Sequence, residues 1–260
     1  MTKYRIHPLK AAEITVPVGI LAMLGDMQTY VTGPVNIFYL EGGNKKIVMD
    51  AGIAIRGARH NVTGGGEEGI RKALALVGTT PEEIDILVLS HLHYDHCGEA
   101  YLFRNARVIV QKREWETAFN PVPVLRYMYD QSCFVQLENM ELVLVDGDQP
   151  IADGVRTLLL PGHTMGNQGL AVSTAKGTAV LTGDLLYLYY NLNPKISEIT
   201  DSTGRKVPVQ ARLDLPFIPP GLHANLTDWF DSMWKVISIA SSRDLIIPNH
   251  EPSLEGKLVG

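Results

Sequence analysis

The segment Ser90-His-Leu-His-Tyr-Asp-His-Cys-Gly places four metal-binding side chains, His91, His93, Asp95 and His96, within six residues. Imidazole and carboxylate groups are the ordinary ligands of zinc and related divalent cations. On a tight turn after a strand, His91 and His93 can point to one side and Asp95 and His96 to the other. Two neighbouring cations could then each receive two of the four groups. An exposed polar loop is the plainer reading, and the scarcity of histidine argues against it. Three further segments share one layout, an apolar run ending in a ligand-type residue: Leu158-Leu-Leu-Pro-Gly-His163, Val180-Leu-Thr-Gly-Asp184 and Leu245-Ile-Ile-Pro-Asn-His250. Taken singly, a histidine after a strand is usually structural and an aspartate after glycine usually belongs to a turn. Together they supply what the cluster lacks, because two metals need about three protein ligands each plus a shared group and water. Five histidines (91, 93, 96, 163 and 250) with Asp95 and Asp184 make such a set, one aspartate bridging.

Ligands so far apart in sequence require strands that deliver their ends to one place. Residues 84–90, before the cluster, read as a strand buried on both faces. The first fifty residues read as β structure, with runs 36–41 and 46–50 joined by a Gly42-Gly-Asn-Lys turn. Further strands are expected at 107–111, 141–145, 156–160, 169–173, 178–182 and 245–248. Helices are expected at 67–77, where Ile70, Ala73, Leu74 and Val77 share a face, and at 112–118, 124–129 and 226–241. Asn225 or Thr227 would cap the last of these. Thr80-Pro-Glu-Glu carries a helix-start signature. Residues 57–69 read as a flexible loop without the ending of a phosphate-binding loop, and 188–224 as a long irregular segment over the core. Trp115, Trp229 and Trp234 fit helix faces against the core, while Phe119, Met128 and Tyr129 suit an apolar pocket wall.

The 260 residues carry 28 acidic and 23 basic side chains, a formal charge of −5, and no long basic run, so no nucleic-acid groove is expected. An apolar fraction of 45% with 20% charged residues is that of a globular rather than a disordered chain. Cys97 and Cys133 allow at most one disulfide, which is not a secreted disulfide scaffold. The longest early apolar run, 16–24, falls well short of the roughly 20 residues that span a bilayer, and the N-terminus lacks a signal-peptide core. A cytoplasmic protein without stable membrane insertion is therefore expected. Length alone permits one domain or two. The candidate ligands run from 91 to 250, so no cut between them leaves an intact site, and one domain over 1–260 is the better reading.

His91-Leu-His-Tyr-Asp-His96, followed by Pro161-Gly-His-Thr, Thr182-Gly-Asp and Pro248-Asn-His, resembles the metallo-β-lactamase superfamily over essentially the whole chain. The resemblance implies an α/β fold, a four-layer αβ/βα sandwich with a one- or two-metal site at one edge of paired sheets. By motif, His91, His93 and His163 would bind the first metal, Asp95, His96 and His250 the second, and Asp184 would bridge. Asp50, in Ile47-Val-Met-Asp-Ala-Gly, matches the family's strand-end Asp-Thr-Gly with Ala51 where Thr is usual. It would orient a ligand histidine, or else cap a turn. Histidine rather than glutamate at 93 argues against the redox di-iron branch, and Asp184 favours two metals over one. Cys97 reads as a packed side chain rather than a ligand.

Tyr187 lies three residues after Asp184, an offset like that of N-acyl-homoserine lactonases, where a tyrosine there faces the substrate. Packing beside Tyr189 and Tyr190 is the plainer reading. Ile218-Pro-Pro-Gly-Leu-His and the 229–236 helix share the lactonase likeness, and His223 there reads as a surface histidine or one near the substrate. The implied chemistry is lactone opening by a metal-bridging hydroxide, the carbonyl polarised by one metal and Tyr187, with Asp95 passing a proton to the leaving alkoxide. The implied cofactors are two divalent ions, zinc ahead of manganese, iron or cobalt, and the implied partner is a small-molecule substrate. Related lactonases are commonly homodimers. The alternatives are the same site acting on a thioester, phosphodiester, phosphotriester or β-lactam, or a non-hydrolytic metal or redox protein. Lys257 as the single base in the last fifteen residues counts against a glutathione thioester, and the −5 charge against a nuclease.

Overall fold

Strands that are apolar on both faces must be covered on both faces. The structure, a computed structural model, describes residues 1–55 and 61–260 and meets that demand with two sheets packed together and helices outside them. The first sheet holds β1 (Arg5–Pro17), β2 (Tyr30–Glu41), β3 (Ile47–Met49), β4 (Asn61–Gly64), β5 (Ile86–Val88), β6 (Arg107–Gln111) and β7 (Glu141–Val145). Their order is β4-β1-β2-β3-β5-β6-β7, antiparallel as far as β3 and parallel beyond it. The second sheet takes β8 (Pro150–Ala152), β9 (Val155–Leu159), β10 (Gln168–Thr174) and β11 (Gly177–Leu181). A separate hairpin of β12 (Glu198–Thr200) and β13 (Lys206–Pro208) intervenes before β14 (Ile246–Ile247) completes the second sheet as β14-β11-β10-β9-β8. The helices are α1 (Val18–Leu21), α2 (Gly66–Ala75), α3 (Lys112–Phe119), α4 (Gln131–Phe134), α5 (Tyr189–Leu192) and α6 (Leu226–Ile239).

Side chains alternate across a strand, and the alternation assigns each to a layer. Ile47 and Met49 of β3 and Ile86 and Val88 of β5 pack between the sheets with Leu170, Val172, Leu181 and Ile247. Their neighbours Val48 and Leu87 point the other way, into a core shared with Ile70, Ala73 and Leu74 of α2. On the far side, Ala171, Val180 and Ile246 pack against Trp229, Met233 and Val236, one face of α6. Asn225 starts that helix by accepting a hydrogen bond from the Asp228 N–H at 3.1 Å. The αβ/βα sandwich expected from the sequence is the observed fold.

One irregularity bears on the site. Between Lys10 and Ala12 the pairing of β1 with β2 shifts by a residue. Ile6, before the shift, lies in the inter-sheet core, whereas Ile14 and Val16 lie in the opposite core. Unbroken alternation would keep all three on one face; the extra residue of a β-bulge moves the later two across.

Several expectations are corrected. Within 57–69, residues 61–64 form edge strand β4 and α2 begins at Gly66, while residues 57–60, including His60, lie outside the described residues. Pro81–Glu83 and Pro123–Met128 are 3-10 turns rather than α-helices. Segment 188–224 contains α5 and the β12–β13 hairpin. Trp234 is 52% exposed and rests edge-on against buried Phe217, so it covers the rim of the core rather than entering it. Among the described residues, no helix is long and apolar enough to cross a membrane.

Candidate metal centre

The loop 91–96 follows β5, His163 follows β9, Asp184 follows β11 and His250 follows β14. β9 and β11 each run antiparallel to β10, and β14 runs parallel to β11, so these three strands release their chains at one sheet edge. There the seven residues picked out in the sequence meet. The Nε2 atoms of His91 and His163 each lie 3.0 Å from Nδ1 of His93. Nε2 of His96 lies 3.6 Å from Asp95 Oδ2 and 3.2 Å from Asp184 Oδ2. Asp184 reaches both sides, with Oδ1 3.2 Å from His250 Nε2 and Oδ2 3.5 Å from His163 Nε2. The ligand atoms form three overlapping groups, His91-His93-His163, His91-His96-Asp184 and Asp95-His96-His250, each within 4.8 Å.

This donor set fits a pair of divalent cations. Ligand atoms around a tetrahedral zinc at 2.0–2.1 Å stand about 3.3 Å apart, close to the separations seen. The outward nitrogens are also committed. His163 Nδ1 donates to Leu222 O at 2.9 Å, His250 Nδ1 to Pro34 O at 2.8 Å and His96 Nδ1 to Asp50 Oδ2 at 2.9 Å. In the neutral ring each of these bonds puts the proton on Nδ1 and leaves the Nε2 lone pair aimed inward. Burial, reinforced by neighbouring imidazoles, pushes His91 and His93 well below the usual imidazole range, and burial lowers His163 as well. Burial would raise Asp184, but His96 and His250 outweigh it and hold the carboxyl well below its usual range. Burial would likewise lower His96, and the carboxylates of Asp184, Asp95 and Asp50 together hold it well above.

Asp50 is fully buried with φ +67°, a left-handed conformation uncommon outside glycine, though aspartate tolerates it better than most. Its carboxylate accepts from the Ser90 N–H at 2.7 Å and Ser90 Oγ at 2.9 Å besides His96, and these bonds hold the strained residue in place. Tyr187 is 4% exposed, with its ring edge-on to both His163 and His250 and Oη 3.4 Å from His163 Nδ1. Burial first, then Asp184 and Asp95, pushes its phenol well above the ordinary range, so it remains a donor.

Tyr187, Asp95, Asp184 and His250 form the polar end of a narrow cavity of about 40 Å³. Its apolar wall includes Ile14, Val16, Leu21, Val31, Met128 and Leu222. Of the aromatic-region residues proposed for this wall, Met128 lines the cavity. Phe119 instead stacks with Trp115 and Phe134, and Tyr129 stands edge-on to His93. His223 turns its Nδ1 onto Pro220 O, away from the cavity lining. Cys97 is buried, with Sγ against Leu92 O, and belongs to none of the ligand groups.

Sequence reasoning missed four contributors. Ile14 and Val16 reach the wall through the bulge in β1, which leaves no local sequence mark. Asn249, adjacent to His250, donates from Nδ2 toward Asp50 at 3.3 Å and Asp184 at 3.4 Å, and its position beside a ligand was the available signal. Glu114, within the helix expected at 112–118, carries no motif of its own and is 1% exposed.

The sequence matches the family described as the Metallo-beta-lactamase superfamily over residues 30–236, and the chain belongs to that superfamily. An N-acyl homoserine lactonase of Bacillus cereus is 34% identical over 131 residues, 50% of this chain and 50% of that protein. The chain thus spans about half the length of the curated relatives it matches. A solved quorum-quenching N-acyl homoserine lactone lactonase superposes with a TM-score of 0.76 at 23% identity, covering 98% of this chain and 95% of that one. AidC, described as a dizinc quorum-quenching lactonase in complex with a product, superposes with a TM-score of 0.66 at 18% identity, covering 96% and 91%.

Proposed function

We propose that this chain is a dinuclear metal-dependent hydrolase that opens lactones, with N-acyl-homoserine lactones as the substrate class. The observation that carries the reading is Asp184 standing between two ligand groups at the polar end of an apolar cavity that also presents Tyr187. His91, His93 and His163 would hold one cation, Asp95, His96 and His250 the other, and Asp184 both. Zinc bound there supplies Lewis acidity that brings the pKa of water toward neutrality and polarises a carbonyl. Tyr187 donates its hydroxyl to the carbonyl oxygen as negative charge builds on it. Asp95 Oδ1 is buried with no hydrogen-bond partner among the described residues, and it takes the proton given up by the water that attacks the carbonyl carbon and passes it to the departing ring oxygen. The apolar wall takes the non-polar part of the substrate and keeps bulk water out. We take residues 1–260 as one catalytic unit, and the buried free thiols of Cys97 and Cys133 suit a reducing, cytoplasmic compartment.

A panel of lactones, thioesters and phosphate esters, run with metal analysis on the same preparation, tests the reading. Lactones are expected to be turned over with the highest kcat/KM, lost on chelation and restored by zinc. Faster turnover of a thioester or phosphotriester would transfer the site to that substrate class, and metal binding without turnover would remove the enzyme. Tyr187→Phe is expected to keep its metal yet lose about 1–3 kcal/mol of transition-state stabilisation, roughly 5- to 150-fold in kcat/KM. An unchanged kcat/KM would leave Tyr187 as packing.

A further inference from the structure

Glu114, on the first turn of α3, is buried with both carboxylate oxygens in use. Oε1 accepts from the Leu92 N–H at 3.0 Å and the Tyr129 hydroxyl at 3.2 Å. Oε2 accepts from the Thr164 hydroxyl at 2.6 Å and the Gly166 N–H at 3.1 Å. Leu92 lies between His91 and His93, and Thr164 follows His163. Tyr129, held by the same carboxylate, sets its ring edge-on against His93 with centroids 4.7 Å apart. The chain presses onto the helix at this point: a Cβ on Gly166 would lie 2.3 Å from the Glu114 nitrogen.

We propose that Glu114 is a positioning residue that ties the His91–His93 loop to the His163 loop and so preforms the three-histidine group. The inference rests on the reading that this group binds a cation. Four donors converge on one acceptor-only carboxylate, the Thr164 hydroxyl most closely at 2.6 Å, and removing the carboxylate leaves buried donors unpaired. The second group is fixed through different contacts, His96 on Asp50 and His250 on Pro34. Loss of Glu114 therefore acts on one of two adjoining sites.

Metal-free protein titrated with cobalt(II), followed by visible absorption and calorimetry, tests this. Wild type is expected to take two equivalents. Glu114→Gln should take one of them with unchanged affinity and the other roughly 10- to 100-fold more weakly, the usual cost of losing an outer partner. In the metal-free state the amides of Leu92 and Gly166 should lose exchange protection together. Thr164→Val and Tyr129→Phe, which keep the carboxylate and remove one donor each, should weaken the same equivalent by a smaller factor and carry the test if Glu114→Gln does not fold. Unchanged affinity for both equivalents, or equal weakening of both, overturns the proposal while leaving the metal reading intact. A wild type that binds no cobalt overturns the metal reading itself.

Discussion

Asp184→Asn is expected to lose bound metal and nearly all turnover. The substitution keeps the size and shape of the side chain, so the lost property is charge. Asp184 is the carboxylate that reaches His91, His96, His163 and His250 at once, between 3.2 and 3.9 Å. An amide presents one neutral oxygen in place of two anionic ones, and its NH2 group faces imidazole nitrogens on one side. The loss of several kcal/mol of metal-derived stabilisation, about 4 kcal/mol, corresponds to roughly 1000-fold in kcat/KM. Elemental analysis per chain, kcat/KM on a lactone and circular dichroism as a folding check read the outcome. His96→Ala is expected to behave in the same direction, because it also strands Asp50 without its imidazole partner. Two retained equivalents with near-normal turnover in Asp184→Asn would remove the bridging role.

Trp229→Ala should have the largest effect on stability. The side chain is fully buried between the second sheet and α6, and its indole N–H donates to Leu185 O at 2.8 Å. Truncation leaves a large cavity and an unpaired carbonyl, a cost of about 3–5 kcal/mol. For a chain of this size the melting temperature should fall by roughly 10 °C. The site feels the same change, since Leu185 follows Asp184 and Gly162, whose Cβ would lie 2.5 Å from Trp229 Cα, precedes His163. Added zinc should recover part of the lost melting temperature, because a ligand that binds the folded state alone stabilises it. A loss under about 1 kcal/mol in denaturant unfolding would show that this layer is not packed as described.

The candidate ligands were legible because each ligand-bearing segment comes within a few residues of the end of an apolar run, and runs of that kind leave little choice but a buried strand. The layers were legible for a related reason: pairs such as Val48 beside Met49, or Val180 beside Leu181, need two apolar environments. What stayed hidden depends on distant partners. The short strand at 61–64 exists through its pairing with β1, and nothing in Asn-Val-Thr-Gly demands it. Glu114 is buried because two loops, at 92 and at 164–166, close over it. Pro81 and Pro123 mark helical starts, but the segments after them are too short to continue as α-helix, and they settle as 3-10 turns.

The one-residue slip in β1 divides that strand into parts with separate obligations. Ile6 answers to the inter-sheet core, while Ile14 and Val16 answer to whatever molecule enters the cavity. On the proposed reading, substitutions at 14 and 16 would retune which ring or acyl group fits without touching the contacts that join the sheets. On that reading, a small library at these two positions is the place to redirect what the cavity accepts while the framework stands still.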